Sequence, residues 1–472
     1  MLQKIQADNS QCFSFAAFMS GVQGNTDLRV DISNKQIMSI ALPIAAAMII
    51  PNVNFITNNI FLGTLGQREL AVAGITGVYY LIFALVGLGL NNGLQALISR
   101  RAGENRPEEI GRLFTQGILV AGLLAITGVI ITYTLTPVIF GFALHDQSNV
   151  QMAVDFLNIR IWGLFFLYIY QMRNALLVGI SQTRFLYIAT LAETLANIFF
   201  DYTLIYGKLG MPELGFNGAA YASIIAEFSG MFILFLILNK KGISKKFQLF
   251  GHLKFDKKNF NLILKFSSPL MLQFAVSLVS WEFFYILIER NGNGTVDLAI
   301  SNAMRNVFGF FGCFSWAFAA AANAMVSNVI GQGLQHKVPE LINKIMKLSL
   351  AFALTVFLII NIVPAEFLSI YGQDQHFIDE GIPVLRVISA ALLIMSISVV
   401  WLNSVTGTGN TRITLYTEVF AIIFYCIYVW LVLEKLHLPV MIGWMSEWLY
   451  WICLFVPSLL YIRSGKWKNK KI

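Results

Sequence analysis

The chain has 472 residues, of which 57% are hydrophobic and only 12% are charged, and its formal net charge is +8. A soluble domain carries about twice this share of charged residues, so a water-exposed surface cannot be built from this composition. The composition excludes a cytosolic enzyme, a nucleic-acid-binding protein and a disordered scaffold, and it predicts a polytopic membrane protein.

Twelve apolar runs are long enough to cross a bilayer as helices, which takes about 20 residues each. They are apolar on every side instead of alternating, which favours helices over a transmembrane barrel. We therefore expect an all-α integral membrane protein. The predicted spans are residues 36–62, 69–99, 110–136, 152–180, 184–206, 215–238, 263–290, 297–330, 343–368, 380–406, 411–434 and 438–463.

Lysine and arginine predict the orientation. Most of the 33 Lys and Arg residues lie at the termini or in the even-numbered gaps between spans. By the positive-inside rule, both termini and the basic linker, residues 241–262, face the cytoplasm of a cell whose plasma (inner) membrane holds the protein. Residues 1–35 lack a signal-peptide pattern and are interpreted as a cytoplasmic extension, and residues 464–472 as a basic cytoplasmic tail.

The two halves of the chain resemble each other. Six spans per copy is an even number, so both copies share one orientation, which is the parallel-repeat arrangement of secondary transporters. This predicts an N-lobe, residues 36–240, and a C-lobe, residues 263–463, with a substrate cavity between them. The matches are Gly103 with Gly331 and Gly179 with Gly407, both at an offset of 228 residues, and Pro43 with Pro269 at 226.

Several motifs resemble those of MATE (multidrug and toxic compound extrusion) transporters. The resemblance covers residues 35–463 and implies a V-shaped pair of six-helix bundles that exports organic, often cationic or amphipathic, compounds in exchange for H⁺ or Na⁺. It implies a monomer in membrane lipid with small-molecule substrates, no nucleic acid, no cofactor and no enzymatic activity. The motifs are Ala41-Leu-Pro-Ile44, Asn59-Ile-Phe-Leu-Gly63, Asn197-Ile-Phe-Phe-Asp201, Gly215-Phe-Asn-Gly-Ala-Ala-Tyr-Ala-Ser223 and Gly407-Thr-Gly-Asn-Thr-Arg412.

Asp201 and Asn197 lie one helical turn apart in the fifth span, so they share a face. Their oxygens suit Na⁺, or alternatively a buried Asp201 carries H⁺. The resemblance implies that Ser223 and Asn58 complete the site, with Asn58 where related members have an aspartate. One carboxylate instead of two predicts a single proton and a weaker affinity for Na⁺. In the alternative without a role in ion binding, Asp201 snorkels or accepts hydrogen bonds from neighbours.

Glu282 in the seventh span loosely resembles a proton-coupling glutamate of plant and animal members. Arg305 in the eighth span is equally far from the connecting turn at 291–294, so the two side chains are expected at one depth and paired. The pair is either a proton-sensitive switch or a static ion pair, and both interpretations stay open.

Polar and aromatic residues inside the spans are candidates for the substrate cavity, because amide oxygens and ring faces suit flat organic cations. The alternative function is a flippase for a lipid-linked precursor, which predicts a cavity rich in Arg and Lys. Arg160 and Arg173 are the first-lobe candidates, although both are interpreted as snorkelling or bonding to carbonyls. The cavity candidates are Gln95, Gln171, Met172, Gln273, Trp281, Asn302 and Trp316.

Overall fold

The computed structural model describes residues 27–144, 146–251, 254–290, 294–372 and 374–470, and these ranges are all helical or irregular. Within these ranges, eleven helices are long and apolar enough to cross a membrane, and a twelfth span consists of two helices bent by 46°. The predicted all-α fold with twelve spans is confirmed.

We number the spans α1 to α12. Three short α-helices of the described residues lie outside them, Ile243–Lys246, Pro364–Ser369 and Val440–Trp444, and a π-helical stretch, Trp430–Lys435, extends α11. The spans are α1 Asn34–Leu65, α2 Gln67–Gly103, α3 Pro107–Ala143, α4 Gln147–Arg160 with Gly163–Gly179, α5 Leu186–Tyr206, α6 Phe216–Lys240, α7 Lys257–Arg290, α8 Gly294–Gly331, α9 Val338–Ile362, α10 Gln375–Gly407, α11 Thr411–Val429 and α12 Ser446–Arg463.

Local sequence signals begin and end these helices. The Ser33 hydroxyl accepts a hydrogen bond from the Gln36 N–H at the start of α1 (3.2 Å). Gly207 ends α5 in the left-handed conformation at φ 64°, which a residue without Cβ adopts at little cost. The fourth span, predicted as one run, breaks just before Gly163.

Three buried apolar cores define two lobes. The largest core combines residues of both halves at the end of the bundle where residues 241–256 lie, which we call the linker end. At the opposite, far end each lobe has its own core, around Leu157 and Phe216 in the N-lobe and around Phe284 and Trp444 in the C-lobe. A shared core at one end and separate cores at the other are what a V-shaped pair of bundles requires.

Two glycines bring the lobes into backbone contact at the linker end. A Cβ added to Gly103 of α2 would lie 2.0 Å from the Asn328 carbonyl oxygen of α8. A Cβ added to Gly331 of α8 would lie 2.3 Å from the Arg100 carbonyl oxygen of α2. Gly103 and Gly331 are equivalent positions of the repeat, so the same contact is made twice. We call this the glycine seam. The Arg100 guanidinium adds a hydrogen bond to the Gly407 carbonyl at the end of α10 (3.4 Å).

The linker is docked onto the N-lobe. Phe247 and Leu249 are buried, and the Thr115 hydroxyl of α3 donates to the Leu249 carbonyl (2.7 Å). The basic segment is therefore anchored by its apolar side chains and is not simply a solvated loop. In addition, α7 begins at Lys257, before the predicted start of the C-lobe.

Residues 27–33 cross from the N-lobe to the C-lobe. The Asn328 side chain donates to the Leu28 carbonyl (3.0 Å) and accepts from the Val30 N–H (3.2 Å). Lys344 donates to the Ile32 carbonyl (3.1 Å). The end of the predicted N-terminal extension thus makes a second interlobe contact, while residues 1–26 lie outside the described residues.

Candidate functional site

The helices α1 and α5 lie side by side and run in the same direction, from the linker end to the far end. Tyr206 of α5 donates to the Phe61 carbonyl of α1 (3.2 Å) and shares a hydrogen bond with the Thr64 hydroxyl (2.5 Å). The two residues of each hydrogen-bonded pair are 145 and 142 positions apart in the sequence. Asn58 and Asp201 have a separation within this range, so they lie at the same depth on neighbouring helices.

Asn197 connects α1, α5 and α6 one turn below Asp201. In the amide orientation that satisfies both ends, its nitrogen donates to Asn54 Oδ1 (2.6 Å) and Asp201 Oδ2 (3.2 Å). Its oxygen then accepts from the Ser223 N–H (3.3 Å). The structure thus brings Asp201, Asn197 and Ser223 together and adds Asn54, while Asn58 lies at the depth of Asp201 on α1. The one-turn spacing of Asn54 from Asn58 is the sequence signal that would have identified it.

Two oxygens of this site have no hydrogen-bond donor among the described residues: Asp201 Oδ1 and Asn58 Oδ1. Asp201 is 0% exposed, so the interpretation that it snorkels is wrong. Buried oxygens without a donor are costly and uncommon. One positive charge would satisfy these oxygens, either a proton on Asp201 or a cation held by hard carboxylate and amide oxygens.

Arg160 forms a buried ion pair that the sequence reasoning missed. Its guanidinium binds both carboxylate oxygens of Glu227 on α6, at 2.6 and 2.9 Å, and lies 3.7 Å from the ring centroid of Tyr80. Tyr80 also donates to Glu227 (3.0 Å). A Cβ on Gly163 would lie 2.3 Å from the guanidinium and 2.2 Å from the carboxylate, so the bend in α4 accommodates this pair. The prediction that Arg160 snorkels or bonds to carbonyls is wrong.

The predicted pair of Glu282 and Arg305 is also wrong, since no salt bridge joins them although both lie in the described part of the chain. The Arg305 guanidinium lies 5.2 Å from the ring centroid of Tyr285, one turn closer to the connecting turn than Glu282. Tyr285 also donates to the Ser301 carbonyl of α8 (3.2 Å). Equal depth was a valid inference, but the rotation of α7 turns Tyr285 instead of Glu282 toward α8.

The C-lobe buries two other acids, Glu418 on α11 and Glu447 at the start of α12, which are 1% and 2% exposed. The Glu447 carboxylate accepts from the indole N–H groups of Trp281 (3.2 Å) and Trp451 (3.0 Å). Both acids interrupt predicted spans. The criterion that selected Asp201, an acid within an apolar run, would have identified them.

The predicted cavity residues fall into three groups. Gln95 and Met172 are 1% and 0% exposed, so the prediction that they line a cavity is wrong in this conformation. Gln95 instead donates to the Ala320 carbonyl across the lobes (2.8 Å), and Met172 belongs to the shared core. Gln273 and Trp281 bind the buried glutamates of the C-lobe. Partial exposure remains at Gln171, Asn302 and Trp316.

Comparison with known sequences gives matches over both lobes. A family model described as MatE matches residues 43–203 and 269–431. A probable multidrug resistance protein NorM of Thermotoga maritima is 25% identical over 451 residues, covering 93% of this chain and 94% of the relative. A protein of the same name from Synechocystis sp. is 24% identical over 389 residues, covering 80% and 83%.

Comparison with solved structures shows the same fold. An outward-facing multidrug resistance MATE family transporter of the MOP superfamily has a TM-score of 0.84 at 18% identity, covering 95% of this chain and 99% of the other. A MOP superfamily transporter from Pyrococcus furiosus has a TM-score of 0.84 at 17% identity, with the same coverage. At these identities the likeness concerns the fold alone.

Proposed function

Because the chain belongs to the MATE family, we propose that it is a secondary active antiporter that exports organic, cationic or amphipathic compounds in exchange for H⁺ or Na⁺. Family members are transporters that need no cofactor, so the chain is a multi-pass membrane transporter of small molecules and not an enzyme. Relatives named as multidrug resistance proteins support drug-like compounds as its substrates.

The observation that carries the coupling proposal is the enclosed Asp201 with its unpartnered oxygen. An ion can drive transport only if it binds the two conformations of the lobes with different affinities. Asn197 ties Asp201 to α1 and α6, so the charge state of Asp201 acts on three helices at once, which supports such a difference. Since the lobes share a core at the linker end, and the positive-inside rule assigns that end to the cytoplasm, the conformation described is the outward-facing one.

The contacts of two arginines favour the antiporter over the flippase. A flippase for a lipid-linked precursor needs cationic side chains that are free to bind a pyrophosphate. Arg160 is held by Glu227, and Arg173 donates to the Met231 carbonyl and lies 5.3 Å from the Phe235 ring centroid. Both arginine candidates of the first lobe are therefore bound by groups of the protein itself.

Transport by purified protein in proteoliposomes tests the proposal. An imposed proton gradient and an imposed Na⁺ gradient are compared for the efflux of an organic cation. We expect Asp201→Asn to abolish efflux against the substrate gradient, because the neutral amide takes up no proton and supplies no negative charge to hold Na⁺. Asp155→Asn is the matched control, since Asp155 is exposed on α4 and only accepts from Gln151 (2.8 Å).

Glu282→Gln tests whether the second predicted coupling residue contributes, because its half-buried carboxylate forms no ion pair among the described residues. Wild-type protein that fails to concentrate any organic cation under either gradient contradicts the proposed function. Full ion-driven transport by Asp201→Asn contradicts the role given to Asp201.

A further inference from the structure

Glu418 lies where three helices of the C-lobe meet, and its recorded hydrogen-bond partners are neutral. Ser277 of α7 and Tyr450 of α12 both bind its Oε1 through their hydroxyl groups. Gln273 of α7 donates to its Oε2 (3.1 Å). No salt bridge to Glu418 is present among the described residues, in contrast to Glu227 of the N-lobe, which has Arg160. An ionised carboxylate buried inside a membrane without a cationic partner costs more free energy than a paired one.

The side chains around Glu418 belong to one face of α7. Gln273, Ser277 and Trp281 are spaced by four residues, so they form a stripe along that helix. The first two bind Glu418, and the third binds Glu447 on α12 (3.2 Å). A change of charge at Glu418 therefore acts directly on α7 and α12.

The ionisable groups near Glu418 supply no compensating positive charge. Tyr450 and Glu447 face it from α12, Glu282 lies just over one turn beyond Ser277 on α7, and Tyr425 lies two turns along α11. Helix α10 also contacts α11. Its ionisable residues are His376, Asp379, Glu380 and Arg386, and they lie near its first turns.

The depth of Glu418 separates it from those α10 residues. Glu418 is seven residues into α11, which corresponds to about 10 Å from the linker end at 1.5 Å per residue. Arg386, the closest of the α10 groups, is about 30 Å from the same end. The nearest basic residues of the helices that bind Glu418 are Lys265 of α7, Arg412 of α11 and Arg463 of α12. Each lies six or more residues nearer the linker end than the group of its helix at the site, so the described groups at the depth of Glu418 are neutral or acidic.

From this arrangement we propose that Glu418 is a second proton-binding site of the protein, in the C-lobe and distinct from Asp201. That Glu418 binds a proton does not depend on the proposed antiport function. Only the role of that proton in transport rests on it. The proton comes from water and binds a carboxylate oxygen, and on release it returns to water. When Glu418 is ionised, Ser277 and Tyr450 both donate to it.

Protonation needs only the rotation of a hydroxyl group. The Glu418 O–H then donates to one hydroxyl oxygen, and because Ser277 Oγ and Tyr450 Oη are 3.4 Å apart, that hydroxyl can donate to the other. The site can therefore exist in both protonation states. The charge difference between them changes how strongly α7 and α12 are held to α11.

The ligand is a proton and not Na⁺, because the amide of Gln273 presents its N–H group to the carboxylate. Na⁺ would need oxygen ligands in that direction.

Infrared difference spectroscopy of the purified full-length protein in lipid nanodiscs, scanned from acidic to alkaline pH, tests the site without requiring transport. We expect a carboxylic-acid carbonyl band that disappears on alkalisation, is absent in Glu418→Gln and is retained in Asp201→Asn. Glu366→Gln, a change at an exposed C-lobe residue, is the control and should retain the band. Ser277→Ala and Tyr450→Phe keep the acid but remove one donor to the ionised form, so the band should persist to higher pH.

A band unchanged in Glu418→Gln overturns the proposal, as does a band that Na⁺ abolishes at constant pH. Proteoliposome reversal potentials then test the role in transport. The number of protons exchanged per substrate should fall by half in Glu418→Gln, and an unchanged ratio in Glu418→Gln overturns the coupling role. Absence of ion-driven transport in the wild type contradicts the proposed function, whereas the infrared result decides whether Glu418 binds a proton.

Discussion

Replacing a glycine of the interlobe seam with alanine should push the lobes apart at the linker end. The added methyl of Gly331→Ala would lie 2.3 Å from the Arg100 carbonyl oxygen, whereas ordinary contact begins at 3.4 Å. The backbone of α2 and the backbone of α8 must therefore separate by about 1 Å, since no flexible side chain can yield. Gly103→Ala makes the equivalent clash with Asn328.

The expected magnitude follows from the rigidity of both partners. Overpacking costs about 1–3 kcal/mol, and a clash of backbone with backbone belongs in the upper half of that range. A cost of about 2–3 kcal/mol changes the equilibrium between the closed and open linker end by about 30- to 140-fold. The double variant should cost less than the sum of the two single variants, because opening the seam once relieves both clashes.

The assay measures electron–electron distances between two spin labels. The labels are placed at positions 106 and 336, which are exposed at the linker ends of the two lobes. The native cysteines are first replaced. We expect Gly331→Ala to add a longer distance, and Gly309→Ala on the same helix to leave the distribution unchanged, since nothing lies within 4 Å of a Cβ at Gly309. An unchanged distribution in Gly331→Ala, or the same shift in the control, refutes the reasoning.

Three further outcomes follow from the N-lobe contacts. Glu227→Gln should lower stability by about 3–5 kcal/mol, because Arg160 loses its buried partner. Replacing both residues by methionine should cost less, and thermal unfolding in detergent measures both effects. Gly163→Ala should destabilise the wild type by forcing that pair apart, and be tolerated in the double-methionine background. Hydrogen bonds from the Ser148 N–H and hydroxyl hold the pKa of Asp146 below its usual value. The ionised Asp146 therefore caps and stabilises α4 at neutral pH, and this stabilisation is lost as the pH falls through the lowered pKa. Asp146→Ala should therefore lower the unfolding temperature at neutral pH but not in acid.

The fold could be predicted because its signals extend over whole segments. An apolar run of about 20 residues has few alternatives to a membrane helix, and Gly103 with Gly331 marked the duplication before any contact was known. The broken span α4 could not be predicted in this way. The break at Gly163 packs against a long-range pair of Arg160 with Glu227, which are 67 residues apart.

The residues of the site could be predicted only where their arrangement depends on the geometry of a single helix. Asn197 and Asp201 share a face because they are one turn apart, and that inference needs no other helix. The pairing of Glu282 with Arg305 depended on the rotation of two helices about their axes. Equal depth along a membrane does not specify rotation, and Tyr285 lies between α7 and α8 instead.

The repeat indicates how the two lobes differ in function. The seam glycines are present in both copies because each lobe contributes one half of the same contact. The buried ionisable groups are not duplicated: at the offset of 228 residues, Asp201 corresponds to Val429 and Glu418 to Thr190. Charge buried in a membrane is costly, so it is expected to persist only where it has a use, and these two acids lie in different lobes and at different depths. We therefore expect ion binding to act on one lobe at a time, and the glycine seam to carry its effect to the other lobe.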